Sequence, residues 1–173
     1  MPEISPAYTE MRDTLLAVSP EAAGMQPTDV LPHVFGTLID IGFEVLYSVA
    51  AFADGTTSAY DSTGGAVGHL GDLGNMAMMN RALLREVEAH LDQFKPVESS
   101  PLPAFGRVRI TVLTFDGLLG IELDGTPLLK GQHLLSKVFS AAMAIVESAR
   151  QVAAQKQREA ASPPSPPSPE TLN

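Results

Sequence analysis

Two Asp-Gly dipeptides, each set between β-rich runs, constrain this chain more than any other feature. Asp54-Gly55 separates Leu46–Ala53 from Thr56–Ser62, and Asp116-Gly117 separates Arg107–Phe115 from Leu118–Leu123. Aspartate and glycine both tolerate positive φ, so Asp-Gly between such runs is a strong hairpin signal. In the first hairpin a two-residue turn pairs Ala53 with Thr56, Ala51 with Ser58 and Val49 with Tyr60 on one face. Phe52 with Thr57 and Ala50 with Ala59 fall on the other. In the second, Thr114 pairs with Leu119, Val112 with Ile121 and Ile110 with Leu123 on an apolar face. Arg109 with Asp124 and Thr111 with Glu122 form a polar one, the pattern of a half-buried antiparallel ribbon.

Helical periodicity surrounds the hairpins. Tyr8, Met11, Leu15 and Leu16 recur at helical spacing over Ser5–Ala17, with Ser5 as cap and Pro6 at the first position. Val34–Ile41 reads as a strand feeding a turn at Asp40–Glu44. From Asn75 to Phe94 one stripe carries Met76, Met79, Leu83, Val87, Leu91 and Phe94, while Arg81, Arg85, Glu88 and Asp92 face water. Asp72 or Asn75 caps this helix, Lys95-Pro96 ends it, and Pro96–Gly106 is a linker. The last helix starts at a Ser136 cap with a stripe of Leu135, Val138, Ala142, Ile145, Ala149 and Val152. Phe139, Val146 and Ala153 widen that stripe, which predicts burial against the sheet and against a partner subunit. The Ser162–Pro169 run of serine and proline cannot build a core.

This order predicts an α+β fold: an antiparallel sheet of about five strands, a three-strand meander plus a hairpin, with packed helices. Residues 1–30 are an N-terminal helical extension, 31–158 a single domain and 159–173 a disordered Pro/Ser-rich tail. The net charge of −9, with no clustering of the 11 basic residues, argues against a nucleic-acid surface. The absence of cysteine excludes disulfides, thiolate metal sites and a cysteine nucleophile, and fits a reducing compartment. No signal-peptide pattern opens the sequence, and the longest apolar run, Ile41–Ala53, is too short to span a bilayer. The expected setting is cytoplasmic, with no membrane association.

The candidate site is the glycine-rich segment from Ser62 to Gly74, placed between a strand and a helix. Free amides ahead of a helix favour anions, and the hydroxyls of Ser62 and Thr63 can add donors. Ser62, Thr63, Gly64, Gly65 and His69 are the residues this reading selects, for a small anion. The segment lacks the Gly-Lys-Ser/Thr ending of a Walker loop and the parallel setting of a dinucleotide fingerprint. The alternative is a connection whose glycines serve backbone geometry. His33, His69, His90 and His133 have no metal-ligand spacing, and Ser62 lacks a nucleophile's sequence setting. Asp54, Asp116 and Asp124 precede glycine and read as turn residues. No metal, cofactor or catalytic set emerges, so the expectation is a protein that is not an enzyme.

The stretches Asp54-Gly55-Thr56-Thr57-Ser58, Tyr60 and Ser62-Thr63-Gly64-Gly65, with Gly106-Arg107-Val108-Arg109 and Leu113-Thr114-Phe115-Asp116-Gly117, resemble an uncharacterised bacterial family of the myxobacterial type. The resemblance runs from His33 to Val152 and implies no particular activity. The element order is also similar to profilin-like and roadblock-type domains. That similarity implies dimerisation and protein partners such as small GTPases, and it rests on topology, which does not fix function. The expectation drawn from the whole is a non-enzymatic protein-interaction or scaffold module that forms a homodimer. The alternative is a small-ligand or anion-binding domain using Ser62–Gly71.

Overall fold

The computed structural model describes residues 3–67, 70 and 74–161. His69, the Asp72 cap and the segment from Ser162 onward lie outside the described residues. The class is α+β. Helix α1 (Pro6–Leu16) is followed by strands β1 (Val34–Gly42), β2 (Leu46–Phe52), β3 (Thr57–Asp61) and β4 (Ala66–Val67). Helix α2 (Met76–Ala89) leads into strands β5 (Lys95–Pro96), β6 (Arg107–Thr114) and β7 (Gly117–Asp124), then helices α3 (Gly125–Leu129) and α4 (Ser136–Ala161). These strands make one antiparallel sheet in the order β4-β3-β2-β1-β6-β7-β5. Its outer members β4 and β5 are two-residue strands absent from the sequence expectation. Pro96 sits on the β5 edge, where its missing N–H discourages further pairing.

The sheet is covered on both faces. Helices α2, α3 and α4 lie on one, over a core that includes Ile39, Val49, Ala59, Leu83, Val87, Val112, Phe139 and Ile145. Strand β1 is buried along its whole length, as a central strand covered on both sides must be. Helix α1 and the segments around Met25 and Leu102 cover the opposite face, with Tyr8, Phe35, Leu38, Phe52, Tyr60 and Leu113. Ser5 caps α1 as expected: its hydroxyl accepts the Tyr8 N–H at 3.2 Å, and Pro6 follows. The wide stripe of α4 is used within the protomer, since Val138, Phe139, Ala142, Ile145, Val146 and Ala149 all enter the first core.

Both hairpins form, and both differ in register from the two-residue expectation. The first turn is a three-residue loop, Ala53-Asp54-Gly55, closed by Phe52 N–H to Thr56 O at 2.9 Å and Gly55 N–H to Phe52 O at 3.0 Å. Gly55 takes φ 94°, the left-handed residue that such a loop requires. Asp54 Oδ1 accepts the Thr56 N–H and fixes the geometry. Pairing therefore slips by one: Ala51 faces Thr57, Val49 faces Ala59 and Ser48 faces Tyr60. The second turn is Phe115-Asp116, one position earlier than expected, because Thr114 pairs with Gly117. The Thr114 hydroxyl donates to Gly117 O at 2.7 Å and accepts the Asp116 N–H. Here every pair moves by two, so Val112 faces Leu119, Ile110 faces Ile121 and Arg109 faces Glu122. A shift of two preserves the faces of the pleat; a shift of one exchanges them.

Other boundaries also move. The turn expected at Asp40–Glu44 begins only after Gly42, which leaves Asp40 inside β1 and fully buried. Helix α2 stops at Ala89, followed by a 3-10 turn at Leu91–Gln93. The Asn75 side chain makes no hydrogen bond that would cap α2. Asn80, absent from the expected stripe, is buried and donates to Thr56 O and to the Thr57 hydroxyl. Glu88 does not simply face water: its carboxylate accepts the N–H groups of His33 and Val34 and bonds His33 Nδ1, pinning the start of β1 to α2. At α4 the expected Ser136 cap is the first helical residue, and His133 Nδ1 instead accepts the Leu135 N–H. Helix α4 continues through Ala161, past the expected start of the tail at 159. Among the described residues no helix is long and apolar enough to cross a membrane.

Candidate functional site

The glycine-rich segment divides in the structure. Ser62, Thr63, Gly64 and Gly65 form the turn between β3 and β4, so a strand, not the helix, follows them. The Asp61 carboxylate organises this turn. Its Oδ1 accepts the Thr63 N–H at 2.9 Å, the Thr63 hydroxyl at 2.5 Å and the Gly65 N–H at 3.2 Å. A Cβ on Gly65 would stand 2.6 Å from Asp61 Oδ2, which accounts for glycine there. The donors expected to meet a small anion are already held by a carboxylate of the protein itself. Ser62 is buried and its Oγ has no hydrogen-bond partner, while its backbone carbonyl accepts the Ser5 N–H. Thr63 is exposed. The donors of Thr63 and Gly65 thus converge on Asp61 Oδ1 itself, and Ser62 Oγ takes no part in that set.

Beside this turn lies a cleft of about 300 Å³, bounded by the β2–β3 surface and the second half of α4. Ala59, Val146, Ala149 and Ala153 give it an apolar floor; Tyr47, Asp61, Arg150 and Gln157 supply its polar groups. Three of the four floor residues, Val146, Ala149 and Ala153, come from α4, and their small or short side chains leave the space. Arg150 is held in place on the wall. Its Nη2 donates to Tyr47 Oη at 2.6 Å, and its guanidinium lies 4.8 Å from the centre of the Tyr47 ring. That hydroxyl, with Glu147 and Asp61 adding to it, raises the pKa of the guanidinium. Periodicity assigns Ala149 and Val146 to the core stripe, and nothing in the sequence marks Tyr47 and Arg150, 103 positions apart, as partners.

A second polar cluster lies under α1. Tyr60, Ser48, Asp40, Arg109 and Glu122 stand opposite one another on five adjacent strands, forming a row across one face of the sheet. From α1, Arg12 donates to Asp40 Oδ2 through Nη2 at 2.8 Å and Nε at 3.2 Å. It also reaches the backbone carbonyl of Ser100 at 2.5 Å and the Ser100 hydroxyl at 3.0 Å. Ser48 donates to Asp40 Oδ1 at 2.5 Å and bonds Tyr8 Oη at 2.6 Å. Arg109 Nη2 meets Glu122 at 2.6 Å. The side chains of Arg12 and Asp40 are 7% and 0% exposed, so this ion pair is sealed from solvent. Burial alone would lower the pKa of Arg12, but the hydrogen bonds and charge of Asp40 outweigh it and the net shift is upward. Burial, then the Asp40 charge, push Tyr8 up; the same two causes, with Tyr8, push Tyr60 up. Ser48 lies near enough to oppose the Tyr60 shift slightly, but its hydroxyl is engaged by Asp40 and Tyr8, and Tyr60 Oη has no hydrogen bond.

Asp40 is paired with Arg12 where both side chains are sealed from solvent. His33 is bound by Glu88, His90 Nδ1 meets Glu86 O and His133 caps α4. Among the described residues no group of three or more histidine, aspartate or glutamate side chains could hold a metal ion. The cleft brings together an apolar surface, an oriented cation and a carboxylate, open to solvent. Comparison with family models, curated proteins and solved structures gives no match for this protein.

Proposed function

We propose that the protein is a non-enzymatic binding module whose working surface is the cleft between α4 and the β2–β3 surface. The observation that carries this reading is the pre-oriented Arg150, stacked on Tyr47 at the margin of an apolar floor. An arginine fixed by stacking loses little freedom when it meets an acceptor, and an apolar cavity with few polar groups is the usual form of a ligand site. The small-anion reading of Ser62–Gly65 loses support, because Asp61 occupies the same donors. A cytoplasmic setting belongs to the proposal and is supported by the cysteine-free composition.

The test is a thermal-shift screen of small carboxylates, amines and amino acids against the full-length protein and an Ala153→Trp variant. Ala153 lines the cleft and is only half-buried, so tryptophan fills the space with little disturbance to the core. At least one compound is expected to stabilise the wild type and leave the variant unchanged. Equal shifts in both proteins, or none in either, overturn the reading.

A second reading, a homodimer, draws support from the end of α4. Val152, Ala153 and Ala154 remain half-buried beyond Ala149, the last fully buried residue of the helix, and continue its apolar stripe. At about 39 Å for 26 residues, α4 is long enough to offer that stretch to a second copy. Sedimentation over a wide concentration range decides it: a dimer in the wild type that Val152→Arg converts to monomer supports the reading, and a monomer throughout ends it.

A further inference from the structure

We infer that the cleft takes a small zwitterion: a molecule with a carboxylate and an ammonium on a short apolar body, the apolar amino acids being members of that class. The inference rests on reading the cleft as the binding surface, and it names what binds there. The floor of Ala59, Val146, Ala149 and Ala153 presents no polar side-chain atom, so the part of a ligand that lies on it is apolar. Arg150 has five N–H donors and commits one to Tyr47, which leaves a donor pair for a carboxylate. Asp61 lines the same cleft; its Oδ1 is taken up by the β3–β4 turn, whereas those bonds leave Oδ2 aside. Arg150 and Asp61 are not within ion-pair distance of each other, although the Asp61 charge adds to the upward shift of the Arg150 guanidinium. Two opposite charges held apart in a cavity of about 300 Å³ are best satisfied by one ligand that carries both complements.

The charge of the whole protein points the same way. At a net −9, it repels a simple anion at long range, so Arg150 alone makes a poor anion receptor. A ligand of zero net charge escapes that repulsion and still delivers a carboxylate to the guanidinium. The cavity is at the small end of ligand sites, which suits a single amino acid and not a long peptide.

The experiment is isothermal titration of the full-length protein with L-leucine, N-acetyl-L-leucine, L-leucinamide and glycine. The second lacks the ammonium, the third the carboxylate and the fourth the apolar body. L-leucine is expected to bind, with each of the other three weaker by about tenfold or more, the loss of roughly one charged or apolar contact. Arg150→Gln should weaken leucine about tenfold while leaving the melting temperature in place, since Arg150 is exposed. Leucinamide or acetyl-leucine binding as well as leucine overturns the zwitterion. Silence from all four, while another compound still stabilises the wild type and not Ala153→Trp, overturns the zwitterion and leaves the cleft reading standing. Silence from every compound in both experiments removes both.

Discussion

The two faces of the sheet are buried by different means. Under α2, α3 and α4 the contacts are aliphatic and aromatic side chains of the helices meeting mainly isoleucine and valine side chains of the strands. Under α1 the sheet presents, beside the apolar cluster around Leu38 and Phe52, a row of polar groups joined by the Arg12–Asp40 and Arg109–Glu122 ion pairs and a series of linked hydroxyls. Among the described residues, the buried side-chain atoms without a partner are Ser58 Oγ, Tyr60 Oη, Ser62 Oγ and Arg109 Nε, on or next to this second face. A hydrophobic face gains stability in proportion to the area removed from water and tolerates variation in shape. A buried polar face gains little net energy, but it penalises every arrangement that leaves a charge unpaired. Both faces gain from apolar burial, and the polar row of the second also fixes where α1 sits. Residues 1–30, expected as an extension, supply the helix that completes this face.

The contrast can be broken hardest at Arg12. Arg12→Ala strands the Asp40 carboxylate in a dry site and should cost about 3–5 kcal/mol in urea denaturation. Replacing both partners, as Arg12→Met with Asp40→Leu, should bring stability back to within about 1 kcal/mol of wild type or above it. If that double variant is as unstable as Arg12→Ala, the polar face is a source of stability after all. On the other face, Leu83→Ala should cost about 2–5 kcal/mol with no rescue by a partner change, since its loss is a cavity. Smaller effects separate the two tyrosines. Tyr8→Phe removes the bond to Ser48 and should cost about 1 kcal/mol, whereas Tyr60→Phe removes an unpartnered hydroxyl and should be neutral or stabilising.

The last contrast is one of pH. Both tyrosines are shifted upward in the folded protein, so above the ordinary tyrosine value of about 10 the unfolded state releases protons that the folded state keeps. Stability from this source is complete below about pH 10 and is lost as pH rises toward the folded values. Denaturation midpoints should fall steadily above pH 10, and the Tyr8→Phe/Tyr60→Phe double variant should flatten that slope. An unchanged slope would mean that neither phenol is kept neutral by the fold.

Much of the scaffold was legible because it depends on short-range chemistry. The Ser5-Pro6 start of α1, the stripes of α2 and α4 and the existence of both hairpins follow from caps, periodicity and turn residues. The site was less legible. Asp-Gly is compatible with two-residue and three-residue loops, and that difference of one residue decides whether Tyr60 pairs with Val49 or with Ser48. Asp40 resembled a turn residue because only the fold brings Arg12 to it, from 28 positions away. The glycines mark an unusual loop, in which donors of Thr63 and Gly65 are held by Asp61, a carboxylate of the strand next to it. Tyr47 and Arg150 carry no signal until α4 lies across β2.

The sequence by itself determined the class, the two Asp-Gly turns and the apolar stripes, since these arise from backbone preference and burial over short stretches of residues. Tertiary structure decided the register of each hairpin, the burial of Asp40 beneath α1 and the cleft beside Arg150. The physical reason is that a charge or a cavity takes its character from what is packed against it. Here those neighbours come from distant segments, so only the sheet with its packed helices settles which carboxylate is sealed and which faces solvent.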